Sequence, residues 1–297
     1  VCNSWLNPKK EGKMAAQIID GKKVAADIKE GLKKEIAELK SKGIDPCLAV
    51  VLVGENPASK KYVSSKEKSC AELGIVSIAH KIPETTTQQE LINLVDTLNK
   101  DRKVHGILIQ LPLPKGLDEK EVMNRIAPEK DVDGFGPQSL GRLLMDEKGF
   151  IPCTPYGVIK MIEAYGIDAT GKHAVVLGRS VIVGKPLALL LLRKNATVTI
   201  CHSKTRDIKE ECLRADILCV AIGKAKFVKG DWIKEGAVVV DVGINVDENG
   251  KLVGDVDFQA AAERAGHITP VPGGVGPMTI AMLMYNTVHA AKMSGGA

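Results

Sequence analysis

Tyr62 and Lys66 stand four residues apart, the spacing that puts two side chains on one face of a helix. A phenol and an amine so placed can pass a proton, and a lysine near other cations gives up its proton more readily than a free one. Lys60, Lys61 and Lys68 crowd this one. The same crowding describes a solvated helix surface, so the spacing leaves two readings open: a proton relay and a surface pair. Gln110 closes an apolar run, GILIQ, where a strand meets its loop. Asp131 and Asp133 flank Val132 in the loop DVDGFG. Paired loop carboxylates bind a metal or a polar amine edge, or simply form turns. No further carboxylate clusters in that loop, so no metal is expected.

A second chemistry is written in Ala174–Leu192, AVVLGRSVIVGKPLALLLL. An apolar strand ends at Gly178, a turn carries Arg179 and Ser180, and a helix opens near Lys185-Pro186. Pro186 suits a first helical turn, where no backbone N–H is needed. Strand, glycine turn and helix start together make a phosphate-binding spot, although a plain α/β turn would have the same pattern. An NAD site usually carries Asp or Glu about twenty residues beyond the glycine turn. Here no Asp or Glu occurs from Val181 through Arg206; the second strand ends in Cys201-His202-Ser203-Lys204-Thr205-Arg206. With Arg179, Ser203 and Arg206 make a cationic, hydroxyl-rich surface suited to a ribose phosphate, which favours NADP. A third stretch, PGGVGPMT (272–279), offers either close backbone approach to a ligand or a rigid interdomain turn.

The elements that must position these residues follow from periodicity. Val24, Ile28, Leu32, Ile36 and Leu39 share one helical face. Continuous apolar runs at Cys47–Val53, Ile75–Ile82 and Gly106–Gln110 read as strands, separated by helices at about 57–73 and around Leu91–Leu98. Thr154 reads as an N-cap with Pro155 in the first turn of a helix to Tyr165. Strands follow at His173–Leu177, Thr197–Cys201, Ile217–Ile222 and Ala237–Val242, and a last apolar helix after PGGVGPMT. The expected fold is α/β with two domains: residues 14–150 and 275–297 as a catalytic domain, and 151–274 as a Rossmann-like domain. Residues 1–13 lack periodicity and read as a leader or appended segment.

Composition narrows the function further. Aromatics at 3% argue against base-stacking surfaces, and the net charge of +5 forms no basic block, so nucleic acid is not an expected partner. No apolar run reaches the length of a membrane span. Seven cysteines without a C-x-x-C, mostly in apolar runs, fit free thiols in a reducing, cytoplasmic setting. Cys201-His202 has no nearby partner residues for a metal.

In combination, PASKKYVSSKEKSC (57–70), GILIQLPLP (106–114), KDVDGF (130–135), PCTPYGV (152–158), GRSVIVGKP (178–186), CHSKT (201–205) and PGGVGPMT (272–279) carry a resemblance. From about Ala15 to Lys292 the chain resembles the bifunctional methylenetetrahydrofolate dehydrogenase/methenyltetrahydrofolate cyclohydrolase family. The resemblance implies a folate cleft between the two domains, NADP as cofactor, a terminal helix returning to the catalytic domain, and a homodimer. It implies Lys66 as the catalytic lysine, Tyr62 as its partner stacking near the pterin, and Gln110 as the lysine's hydrogen-bond partner. It further implies that Asp133 holds the pterin amino edge and that Pro272, Gly273 and Gly274 line the cleft. Gly178, Arg179, Ser180, Ser203, Arg206 and Ile244 are then the expected cofactor contacts. Two rival readings share parts of this pattern. A short-chain dehydrogenase would share Tyr-x-x-x-Lys but place the glycine loop before that pair, not after it. A non-catalytic NADP-binding sensor would keep the fold and lose the chemistry.

Overall fold

The pull of apolar runs into parallel strands accounts for the first half of the chain. The computed structural model describes residues 16–295; the 1–13 segment lies outside them. In chain order come β1 (Gln17–Ile18), α1 (Gly21–Ser41), β2 (Cys47–Val53), α2 (Pro57–Leu73), β3 (Val76–Ile82), α3 (Gln88–Lys100) and β4 (Gly106–Ile109). Two short helices, α4 (Glu119–Arg125) and α5 (Pro137–Leu144), lead to α6 (Cys153–Ala164). β2 is flanked by β3 and β4 in a three-stranded parallel sheet, and every β2 residue is buried. Helix α1 buries Val24, Leu32, Ile36 and Leu39, and its Asp20 cap accepts the Lys23 N–H.

The second half holds β5 (His173–Leu177), α7 (Gly184–Arg193), β6 (Thr197–Cys201), α8 (Ile208–Arg214), β7 (Ile217–Val220) and β8 (Val238–Asp241). After a small hairpin of β9 (Asn245–Val246) and β10 (Leu252–Val253) come α9 (Phe258–Ala262), β11 (His267–Ile268) and α10 (Val275–Ser294). The larger sheet is parallel throughout, in the order β1-β11-β8-β7-β5-β6. β1 is the unexpected member. It lies in the segment assigned to the catalytic domain, yet pairs with β11, and two residues are too short a run for sequence periodicity to register.

Two helix starts differ from the sequence expectation. Thr154 does not cap α6; Pro152, in extended backbone, precedes the first helical residue Cys153, and the Thr154 hydroxyl instead lies 2.8 Å from that of Thr279. Helix α10 begins within the glycine stretch, at Val275, because Pro277 is tolerated in a first turn. α10 is apolar nearly all round and packs against α1, α2 and α6, so it returns to the first half as expected. Each fully buried Leu, Met or Val on it, such as Leu283, Met284 and Val288, contributes about 1.5–3 kcal/mol.

Candidate active site

Helix α2 is held at both ends. Asn56 Oδ1 accepts the Ser59 N–H at 3.1 Å, Pro57 occupies the first turn, and Gly74 closes the helix at φ 74°. Its buried residues are Ser59, Val63, Ser69, Cys70 and Leu73. Tyr62 and Lys66 flank these: Tyr62 is 43% exposed, while Lys66 is half-buried. Lys66 is not a surface lysine. Its Nζ donates to Gln110 Oε1 at 2.9 Å, and Gln110 Nε2 donates to Leu111 O at 2.7 Å, which turns the amide oxygen toward the amine. Gln110 is the first residue past β4, and its N–H still bonds Val51 O, so the sheet sets its position.

The two loop aspartates separate. Asp131 is 2% exposed and accepts from Gly136 N–H at 2.8 Å, Phe135 N–H at 3.3 Å and the Ser139 hydroxyl at 2.6 Å. It is a turn-former at the start of α5, with its carboxyl pushed up to about 6 by burial. Asp133 faces Lys66. Burial raises its pKa against the pull of the lysine, and burial lowers that of Lys66 against the pull of the carboxylate. Taking both charges out of water favours a neutral amine at a pH where a free lysine stays protonated. The cyclohydrolase pH profile is accordingly expected to rise through an apparent pKa below the about 10.4 of free lysine, and to lose that limb in Lys66→Met.

Two residues of this site escaped the sequence reading. Cys153 is fully buried beside Asp133, its thiol donating to Val132 O at 3.4 Å, and burial with the neighbouring Asp133 carboxylate keeps it protonated. Asn286 Nδ2 donates to Val132 O at 2.8 Å and Ile151 O at 3.1 Å, so α10 ties down both loops that meet at Asp133. A lone asparagine in the apolar run MLMYNTVHAA was the available signal.

At the second sheet, β5 and β6 are neighbours and Leu177 pairs with Cys201. The turn after one therefore stands beside the loop after the other, and Gly178 N–H bonds Cys201 O at 2.8 Å. Gly178 has φ +134°, and a Cβ there would stand 2.3 Å from Ala221 O; one on Gly184 would stand 2.2 Å from Gly178 O. Ser180 Oγ accepts the N–H groups of Val183 and Gly184 at 3.1 and 3.3 Å, leaving its own proton to donate outward. Arg179, Ser180, Ser203 and Arg206 are all exposed at this edge, and Ile244 beyond β8 is 49% exposed. In the glycine stretch Pro272 is exposed, but the close approach at Gly274 is to protein: a Cβ on Gly21 would lie 1.9 Å from Gly274 O. Lys22 N–H also bonds Gly273 O at 3.1 Å. The turn reading therefore holds for Gly273 and Gly274 whatever ligand lies nearby.

A lysine–amide–carboxylate group beside the smaller sheet and a glycine turn with cationic neighbours at the edge of the larger one agree with two matches to family models. Residues 19–133 match the tetrahydrofolate dehydrogenase/cyclohydrolase catalytic domain, and residues 152–295 the NAD(P)-binding domain of the same family. The chain belongs to the tetrahydrofolate dehydrogenase/cyclohydrolase family. It is 61% identical over 280 residues to the bifunctional protein FolD of Thermodesulfovibrio yellowstonii, covering 94% of this chain and 98% of that one. It is 60% identical over 279 residues to FolD of Moorella thermoacetica, covering 94% and 100%. Among solved structures, the Campylobacter jejuni FolD methylenetetrahydrofolate dehydrogenase/cyclohydrolase superposes with TM-score 0.93 at 52% identity, covering 94% and 99%. The Trypanosoma brucei enzyme of the same kind, complexed with NADP cofactor and inhibitor, superposes with TM-score 0.91 at 40% identity, covering 96% and 100%.

Proposed function

We infer that this tetrahydrofolate dehydrogenase/cyclohydrolase oxidises 5,10-methylenetetrahydrofolate to the methenyl form with NADP, then hydrolyses that to 10-formyltetrahydrofolate. The observation that carries the reading is the Lys66–Gln110 bond with Asp133 beside it. A surface pair would have neither a half-buried amine nor an oriented acceptor. The assignment of residues 14–150 and 275–297 to folate and 151–274 to the dinucleotide is part of the same proposal.

The second sheet fits NADP. Its glycine turn lets backbone approach a pyrophosphate, Arg179, Ser203 and Arg206 offer cations and a hydroxyl, and no carboxylate occurs from 181 to 206 to repel a ribose phosphate. Bound there, NADP supplies the hydride acceptor. The chain's part in that step is orientation, because the folate nitrogens stabilise the cation left on the one-carbon unit and no strong base is required. In this reading Asp133 holds the pterin amino edge, Tyr62 stacks beside the ring, and Pro272 borders the cleft.

Hydrolysis does need a proton handler. Water oxygen bonds the methenyl carbon, the carbon–N5 bond breaks, N5 gains a proton, and one proton is released overall. Neutral Lys66 takes the proton that the attacking water loses, with Gln110 holding the amine in place. Adding methylenetetrahydrofolate and NADP to the purified chain is expected to raise absorbance at the NADPH band. A flat trace would favour the sensor reading.

Ser203→Asp is expected to raise the NADP KM about tenfold or more while changing the NAD KM far less, since a carboxylate beside a ribose phosphate repels it. Specificity constants for both cofactors check this, and equal losses with the two would remove Ser203 from the phosphate site. A homodimer is the proposed assembly; the outer edge of β3, which exposes Val76 and pairs only with β2 among the described residues, supports it. A cytoplasmic setting is supported by the six free, buried thiols of the described residues.

A further inference from the structure

Two carboxylates lie buried behind the cofactor edge of the larger sheet. Asp241 closes β8 and Asp255 follows β10; they are 3% and 0% exposed. Neither has a lysine or arginine side chain as partner among the described residues. Among the described residues, every hydrogen bond their carboxylates accept comes from a neutral donor. Asp241 Oδ1 accepts from Gly243 N–H at 3.0 Å and Asp255 N–H at 2.9 Å, and its Oδ2 from Val256 N–H at 2.9 Å. Asp255 Oδ2 accepts from Ile222 N–H at 2.7 Å and Gly223 N–H at 3.0 Å. Its Oδ1 accepts from Lys224 N–H at 2.8 Å and Asn245 Nδ2 at 2.9 Å. The fit is tight: a Cβ on Gly243 would lie 2.3 Å from Asp255 Oδ1, and one on Gly254 1.8 Å from Asp241 Oδ2.

What these bonds hold is the working edge of the sheet. Residues 222–224 follow β7, directly beyond Ala221, whose carbonyl leaves no room for a side chain at Gly178. Residues 243–245 follow β8. Ile244 sits between two pinned neighbours, Gly243 on Asp241 and Asn245 on Asp255, yet its own side chain is half exposed. Its Cδ1 reaches to 3.8 Å from where a Cβ on Gly276 would be, in the first turn of α10. An apolar side chain is thus kept out of the core, on a rigid base, at the junction of the larger sheet with the glycine stretch.

We propose that Asp255, seated on Asp241, is a positioning residue for the dinucleotide: it holds the 222–224 and 243–245 loops so that Ile244 meets the cofactor on a preformed surface. The proposal rests on the reading of Ile244 as a cofactor contact. A carboxylate is the side chain this site requires, because an amide turned either way would set its NH2 against backbone N–H donors.

The test compares Asp255→Asn, Asn245→Ala and Ile244→Ala, each assayed for NADP KM, for dehydrogenase kcat, and for cyclohydrolase without NADP. Asp255→Asn is expected to raise the NADP KM about tenfold or more. Asn245→Ala, which removes one of the four donors and leaves the backbone amides in place, should raise it by a smaller factor. Cyclohydrolase kcat and the folate KM should stay within about twofold in both, since that reaction uses the other sheet. Equal loss of both activities in the two variants would make the pair a general support of the fold and overturn the proposal. If Asp255→Asn does not fold, Asn245→Ala decides: an unchanged NADP KM overturns the proposal. Ile244→Ala separates the premise. If it leaves the NADP KM unchanged, the contact reading fails; if it alone raises KM, the contact stands and the positioning role of Asp255 falls.

Discussion

Replacing Lys66 with Met is expected to lower cyclohydrolase activity by about 100- to 10,000-fold, the range for a lost general acid–base group, while hydride transfer persists to a much greater degree. Methionine keeps the length and the apolar stem, so Val63 and Cys70 on the buried face of α2 stay packed. What disappears is the amine, its bond to Gln110 and its charge beside Asp133. Only hydrolysis requires a proton to be moved by the protein; oxidation draws on the folate nitrogen lone pairs and the alignment of two bound ligands. The variant should therefore release methenyltetrahydrofolate. The assay is dehydrogenase turnover together with enzyme-dependent loss of methenyl absorbance, corrected for spontaneous hydrolysis. If both activities fall equally with folate binding intact, Lys66 serves alignment or hydride transfer, and the division of labour argued above is wrong. If neither falls, Tyr62 and Lys66 are a surface pair after all.

Gly178→Ala is expected to damage the other half of the molecule. Two costs coincide at this residue. Its φ of +134° is one that alanine adopts only under strain, and the new methyl would meet Ala221 O at 2.3 Å, a backbone atom that cannot move without pulling β7 away from β5. Strain and overpacking together amount to about 3 kcal/mol or more. A melting-temperature drop of about 6 °C or more follows for a chain of this size. The NADP KM should rise more than the folate KM, because the displaced atoms border the turn that carries Arg179. A variant with unchanged melting temperature and unchanged NADP KM would show that the turn relaxes freely and that Gly178 has no special role.

Much of this protein is legible in one dimension because it is built from parallel strands buried on both faces. Burial on both faces writes itself as continuous apolar runs: CLAVVLV at β2 and HAVVL at β5 need no neighbour to be recognised. The helices between them show as helical apolar periodicity, as in Val24, Leu32, Ile36 and Leu39 of α1. The absence of a carboxylate from 181 to 206 likewise pointed to NADP, since charge repulsion is a property of residue type. The short elements were not legible. β1 and β11 have two residues each, and their pairing is decided by where β8 leaves an open edge.

Residue types alone could not separate Asp131 from Asp133, or decide whether Lys66 is exposed. Those outcomes depend on which donors surround each group, and the donors come from distant parts of the chain. Asp131 is satisfied by the start of α5, whereas Asp133 is placed by α10 through Asn286, more than 150 residues away, and so is left to face Lys66. Lys66 is desolvated because β4 delivers Gln110 to it across 44 residues. The sequence by itself determined the elements, the glycine turns and the kind of cofactor, because local sterics and residue charge suffice for these. The tertiary structure alone decided which carboxylate is bound up in a turn and which lies near Lys66, how far that amine is desolvated, and that Asp241 and Asp255 lie buried behind the edge of the larger sheet. Desolvation and hydrogen-bond partnership are properties of a neighbourhood, and only folding assembles one.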